Sequence, residues 1–485
     1  MAGPSSEDLK DIQGIVLSGY GDLHCASYVF LNVTEAVAAR RWLGSILDQI
    51  KTSEPPPEQV SALNVALTHH GLARLGLDDE TLDTFSRPFV EGMATPHRSR
   101  ILGDRDENAP ENWAWGGTDK EGHTDEGKAV DILLMVFAEN EELLKALLAK
   151  TTAEFPQNGV AEIERLGAGR NDDSHEHFGF ADGMGQPAIE DTFQVKKAPA
   201  RNVIKAGEIL LGYVNDYGKP ADSPSVSAGL DSAHALPDPA PVNEAPQDQG
   251  TRHDLGRNGT YLVFRQLAQD VKKFCLFLDE ATRTLDGEID QKAGERLAAK
   301  FVGRWQHGAP LVLSPEADDP ALKDADDFGY RETDPHGFKC PIGSHVRRSN
   351  PRDTIGPDGA TALATANRHR ILRRGRSYGV RPDDRRVEDG VPRGLLFLCL
   401  NADIERQFEF VQQTWVNNPV FGGLNGEVDP LIGNLSKGDE IFTVQKDPLR
   451  ARVHNLERFV TVKGGAYFFL PSLRALRYLA SLNTN

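Results

Sequence analysis

Cysteine, basic charge and long apolar runs are what this sequence has least of. Its four cysteines in 485 residues (Cys25, Cys275, Cys340 and Cys399) are widely spaced and never form Cys-x-x-Cys. That spacing argues against a zinc framework and against a disulfide scaffold. Three of them stand beside apolar or chain-reversing neighbours, as in Phe274-Cys275-Leu276, Cys340-Pro341 and Leu398-Cys399-Leu400, and read as buried free thiols. Lys and Arg number 54 against 72 Asp and Glu, a net charge of −18. So acidic a chain is a poor match for nucleic acid or for an anionic membrane surface. No apolar run approaches the length of a membrane span. Met1–Lys10 is polar and acidic, with neither a basic region nor a twin-arginine pair, so a cytoplasmic location is expected.

What remains is ordinary globular material. Hydrophobic content of 39% and charged content of 26% supply a core of good size, and the length accommodates two domains. Ile12–Val16 and Ser27–Val33 read as strands. A helix follows, with Ala39, Trp42, Leu43, Ile46, Leu47 and Ile50 at three- and four-residue spacing. A proline break at Pro55–Pro57 precedes a strand at Ser61–Thr68 and a short helix at Leu72–Leu77. After an irregular stretch over 79–125 come a strong strand at Ala129–Phe137, a helix capped by Asn140, and a strand at Val160–Leu166. The order strand, helix, strand, strand, helix, strand is the ferredoxin-like arrangement. Gly259–Arg265 followed by a helix through Val271–Leu278, and Gly394–Leu400 followed by Asp403–Trp415, point to a second such unit. The expected fold is α+β, a tandem of two ferredoxin-like domains, each an antiparallel sheet with flanking helices, spanning 1–200 and 201–485.

Three stretches carry candidate chemistry. Phe178-Gly-Phe-Ala-Asp-Gly-Met-Gly-Gln-Pro187 sets Asp182 in a frame of Gly179, Gly183 and Gly185, beside Phe178 and Phe180. Glycines allow sharp turns and close ligand approach, and aromatic neighbours desolvate a carboxylate; an Asp-Gly turn is the plainer explanation. Cys340-Pro-Ile-Gly-Ser-His-Val-Arg-Arg-Ser-Asn-Pro-Arg-Asp353 presents a single His345 in a loop, a metal ligand or a hydrogen-bonded structural residue. Arg370-Ile-Leu-Arg-Arg-Gly-Arg-Ser-Tyr-Gly379 packs four arginines around two apolar residues, suited to a phosphate or a buried carboxylate.

In this order and spacing the three stretches resemble the dye-decolorising peroxidase family of haem enzymes. Asp11-Ile-Gln-Gly-Ile15, Leu210-Leu-Gly-Tyr213 and Asn258–Arg265 extend the resemblance along the chain, and the 345-to-373 spacing is most similar to the larger, fungal-type subgroup. The resemblance implies one haem b per chain, bound in the second domain. It implies His345 as the proximal ligand to haem iron. Asp182 would be the acid–base that moves a proton between the oxygens of hydrogen peroxide. Arg373 would be the cation that stabilises the charge of O–O cleavage, with its neighbour Arg374 as rival. Gly179, Phe180 and Gly183 would face the haem, and Arg348, Asn350 and Arg265 would contact its propionates. Glu405, with Asp403 and Glu409 behind it, is the candidate carboxylate behind His345. Trp113, Trp115, Trp305, Tyr330 and Tyr378 are candidate surface residues for passing electrons from bulky dyes, or else packed aromatics. The expected partners are hydrogen peroxide and small aromatic reductants, without nucleic acid or membrane, in a monomer or homo-oligomer.

Two other readings stand beside this one. A haem-storing or iron-releasing protein of the same architecture would keep His345 without needing both Asp182 and Arg373. A metal enzyme could use His175 and His177 with Asp172 and Asp173, although no third ligand at helical or ribbon spacing supports it. Gly167-Ala-Gly169 lacks the third glycine of a dinucleotide fingerprint.

Overall fold

The computed structural model describes residues 3–54, 59–153, 155–170, 175–240, 250–435, 438 and 440–482. Pro55–Pro57, Asp172 and Asp173 lie outside them. The first unit runs β1 (Cys25–Val33), α1 (Ala36–Ile46), β2 (Ser61–Leu67), β3 (Ile132–Ala138), α2 (Glu141–Thr152) and β4 (Val160–Gly169). Its strands lie in the order β4-β1-β3-β2, antiparallel throughout. The second unit begins with β5 (Thr260–Gln269), α3 (Val271–Ala281), α4 (Gln291–Val302) and the short α5 (His345–Ser349). It continues with β6 (Leu372–Arg373), β7 (Arg376–Tyr378), β8 (Gly394–Asn401), β9 (Val460–Leu470) and α6 (Leu473–Ser481). Here β6 and β7 pair with β8, β8 with β5, and β5 with β9. Counting β6 and β7 as one interrupted strand, both units share the ferredoxin-like order.

The two sheets meet edge to edge at single pairs, Phe469 with Leu67 and Ser377 with Gly169. The strands therefore close into a ring with no long free edge between units. Along β1, Tyr28 and Phe30 point inward with Phe137, Phe264 and Leu396. Val29 and Leu31 point outward beneath Trp42, Leu43 and Leu476. Burial of both faces explains why β3, Ile-Leu-Leu-Met-Val-Phe-Ala, is apolar at every position. Each such side chain contributes on the order of 1.5–3 kcal/mol through removal from water.

The structure corrects one strand. Ile12–Val16 forms turns, and its Ile12, Ile15 and Val16 plug the end of the ring. Gln13 anchors the plug, its Nε2 donating to Val65 O at 2.7 Å and Pro471 O at 2.9 Å. The expected helix at Asp403–Trp415 forms with π-type turns at Glu405–Glu409 and Val411–Val416. No helix of the described residues is long and apolar enough to cross a membrane.

Candidate active site

The glycine-framed loop owes its shape to a carboxylate upstream of it. Glu176 is buried, and its two oxygens accept the amides of Phe178 and Phe180, each at 2.8 Å, and Gln269 Nε2 at 2.6 Å. Burial pushes this carboxyl up, against the pull of Gln269 and the two amides. At Gly179 the backbone takes φ = 95°, and a Cβ would stand 2.2 Å from the Arg385 guanidinium, so the turn needs glycine. Phe178 stacks on Phe274 of α3 at 4.3 Å. The loop thus presents Asp182 from a braced base.

Strand β6 grips the same loop from the other side. Arg373 N donates to Gln186 Oε1 at 2.9 Å, and its guanidinium donates to Met184 O at 2.7 Å. That leaves Arg373 Nη1 3.9 Å from Asp182 Oδ1. Arg374 points away, holding Ile15 O and Val16 O at 2.7 Å each. Of the two neighbours, Arg373 is the one that faces Asp182.

His345 opens α5, directly against the end of α4. Ser344 Oγ donates to Lys300 O at 2.5 Å, and Gly303 ends α4 with φ = 99°. A Cβ at Gly303 would meet Val346 Cγ2 at 2.6 Å, so glycine permits this close approach. His345 Nδ1 donates to Asp429 Oδ2 at 2.9 Å, while Asp429 Oδ1 accepts the amides of Leu431 and Ile432 at 2.9 and 3.0 Å. Burial would raise the Asp429 carboxyl, but His345 and these amides together hold it below the ordinary carboxylate range. With Nδ1 committed as a donor, Nε2 is the ring atom left with a lone pair.

All three side chains line one cavity of about 230 Å³. Its walls are largely apolar, with Phe178, Phe180, Val302, Leu396, Phe397 and Ile432, and Gly183 and Glu176 also face it. An apolar chamber with a few convergent polar groups is the usual form of a cofactor site. A ring nitrogen with a free lone pair, a carboxylate and a guanidinium are the donor set that a haem with its peroxide substrate calls for.

Several expected residues lie elsewhere. Glu405 does not support His345: its side chain is 67% exposed and lies 3.9 Å from Arg98. Glu409 is buried in an ion pair with Arg98 at 2.8 Å and accepts from Tyr467, and Asp403 pairs with Arg406. Arg348 is consumed by the main chain, donating to Gly343, Trp415, Asn418 and Glu427 carbonyls. Arg265 is paired with Asp104, and Asn350 accepts from Arg352 N at 3.3 Å beyond α5. None of Arg265, Arg348, Asn350 and Gly179 is on the cavity wall. Trp113, Trp115, Trp305, Tyr330 and Tyr378 are buried, not on the surface. Phe30 stacks on Trp115 at 4.2 Å and the Arg347 guanidinium sits 4.4 Å over Tyr330, so packing accounts for them. His177 Nε2 is held by Tyr378 O at 2.8 Å, which removes that nitrogen from any pairing with His175.

Three wall or supporting residues have no motif in the sequence. Asp429 is 84 residues from His345, and an Asp-Pro turn is its sole local signature. Glu176 hides between two histidines. Arg304 lines the cavity with its charge met by Asp326 at 2.9 Å.

No family model matches the chain. A dye-decolorising peroxidase from Mycena epipterygia is 30% identical, covering 98% of this chain and 87% of its own length. A multifunctional dye peroxidase from Amycolatopsis sp. is 31% identical over 93% of this chain and 91% of its own. The solved structure of an ancestral D-type dye-decolorising peroxidase superposes with a TM-score of 0.74 at 26% identity, over 97% of this chain and 98% of that one. That of a DyP-type peroxidase from Anabaena sp. gives 0.75 at 25% identity, over 98% and 97%. Near-complete coverage at this identity, on the same two-unit fold, leads to one conclusion: the chain belongs to the dye-decolorising peroxidase family.

Proposed function

We propose that the protein is a haem peroxidase that reduces hydrogen peroxide to water and oxidises dyes and phenolic donors by one-electron steps, with one haem b per chain. A related solved structure holds 2,6-dimethoxyphenol, a donor of this class. The observation that carries the reading is the convergence of His345, Asp182 and Arg373 on one apolar cavity. A storage or iron-releasing role would need the histidine but not the facing acid and guanidinium.

When bound, haem supplies an iron centre that takes up the oxidising equivalents of peroxide and returns them singly to donors. His345 would hold it through Nε2, and Asp429 would fix the orientation of the ring. Asp182 would accept a proton from one peroxide oxygen and return it to the other. Arg373, 3.9 Å from that carboxylate, stabilises the charge that builds during cleavage. The cavity draws on both spans, with Glu176, Phe178, Phe180, Asp182 and Gly183 from 1–200 and His345, Arg373 and most of the other wall residues from 201–485. The four cysteines are free, which supports a reducing, cytoplasmic setting.

The test is haem titration followed by its Soret absorbance. Wild type should saturate at one haem per chain, and His345→Ala should lose the histidine-ligated spectrum. A spectrum unchanged in His345→Ala would overturn the assignment.

A further inference from the structure

A second cluster of ligating side chains lies away from the cavity, in the long segment between Gly218 and Asp254. The ligand atoms of His234, Asp238 and His253 come within 4.8 Å of one another. None of the three lines the peroxide cavity. We propose that they form a binding site for a divalent transition-metal ion of the zinc class, carried on the protein surface.

The cluster is built from beneath. His253 is buried in a short strand, Arg252–Asp254, paired with Ser225–Ser227. Its Nδ1 donates to Asp231 Oδ2 at 2.7 Å, and both residues are buried. Asp231 is itself fixed, accepting the amides of Ala235 and Leu236 at 2.9 Å each. A carboxylate on Nδ1 leaves Nε2 as the ring's ligand atom, the arrangement behind many metal-bound imidazoles. Asp254 N donates to Pro237 O at 2.7 Å, which holds Asp238 next to His253. His234 adopts φ = 51°, left-handed backbone rare for a side-chain-bearing residue. Its ring packs edge-on against His253 at 4.3 Å.

Two imidazoles and one carboxylate suit zinc and its neighbours better than calcium or magnesium, which prefer all-oxygen shells. Bonds of ~2.0–2.1 Å in a tetrahedral set place ligand atoms roughly 3.4 Å apart. Binding therefore draws the exposed His234 and Asp238 inward while His253 stays in place. Three protein ligands leave a fourth position for water. The ion would tie the segment's 231–238 turn to the strand at 252–254.

The probe is Zn²⁺ itself, titrated calorimetrically into tag-free, chelator-washed holoenzyme. One ion per chain is expected, with a rise in melting temperature. His234→Ala and Asp238→Asn, both at exposed positions, should each weaken binding tenfold or more and abolish the thermal shift. Peroxide turnover should be unchanged in His234→Ala. His253→Ala also strands the buried Asp231, so the two exposed variants decide. Wild-type protein that takes up no Zn²⁺ at millimolar concentration, or variants that bind as tightly as wild type, would overturn the site.

Discussion

His345 Nδ1 donates to Asp429 Oδ2 at 2.9 Å, and Asp429, fully buried, is pinned in turn by the amides of Leu431 and Ile432. Asp429→Ala removes the imidazole's orienting partner and leaves the two partly buried amides of Leu431 and Ile432 without their acceptor. Haem affinity or peroxide rate should fall about 10–100-fold, whereas Glu405→Gln, at an exposed position, should change neither. The sign with pH follows from the carboxyl being held low in the folded chain. Its contribution is complete above the unfolded carboxylate value of about 3.9 and is lost as pH falls through the lower folded value. The melting-temperature gap between wild type and Asp429→Ala should hold from neutrality down to about pH 4, then close.

Glu176 has the opposite tendency, its carboxyl raised by burial. A raised folded value gives stability that is complete below about pH 4.3 and is lost as pH rises through the folded value. Glu176→Gln should flatten that part of the stability profile. It also turns an amide N–H₂ toward backbone donors that now meet oxygen, which loosens the Asp182 loop. A displacement of about 1 Å can cost on the order of 10²-fold in rate, so peroxide reactivity should drop at least tenfold while haem content is kept. Stopped-flow absorbance with pyridine-haemochrome quantitation checks both.

Arg348 looked like a propionate anchor and is a structural clamp on four carbonyls. Arg348→Ala should lower the melting temperature sharply, since charged hydrogen bonds are worth about 1.5–3 kcal/mol each before non-additivity. The loss should appear equally in haem-free protein. A destabilisation confined to haem-loaded protein would instead place the guanidinium at the cofactor.

The strands were legible where both faces are buried, because runs such as Ile132–Ala138 are apolar throughout. Ile12–Val16 misleads for the same reason: it is apolar because it plugs the ring, not because it extends a sheet. β9 is obscured by Lys463-Gly464-Gly465, where the register shifts and the Trp115 indole lies so close that a Cβ at Gly464 would be 2.4 Å from its Nε1. In the site, Asp182, His345 and Arg373 sit in local motifs and could be named. Asp429 could not, because its relation to His345 exists in space alone. The arginines misled because guanidinium groups serve buried carbonyls as readily as carboxylates, and sequence does not say which is near.

The most direct test is stopped-flow mixing of haem-loaded wild type, Asp182→Asn and Arg373→Leu with hydrogen peroxide, followed at the Soret band. The expected result is a shift within milliseconds in wild type. Both variants should keep their resting spectra and react about 10²–10⁴-fold more slowly. Asp182→Asn reacting as fast as wild type, with haem intact, would contradict the proton-transfer role on which the proposed mechanism rests.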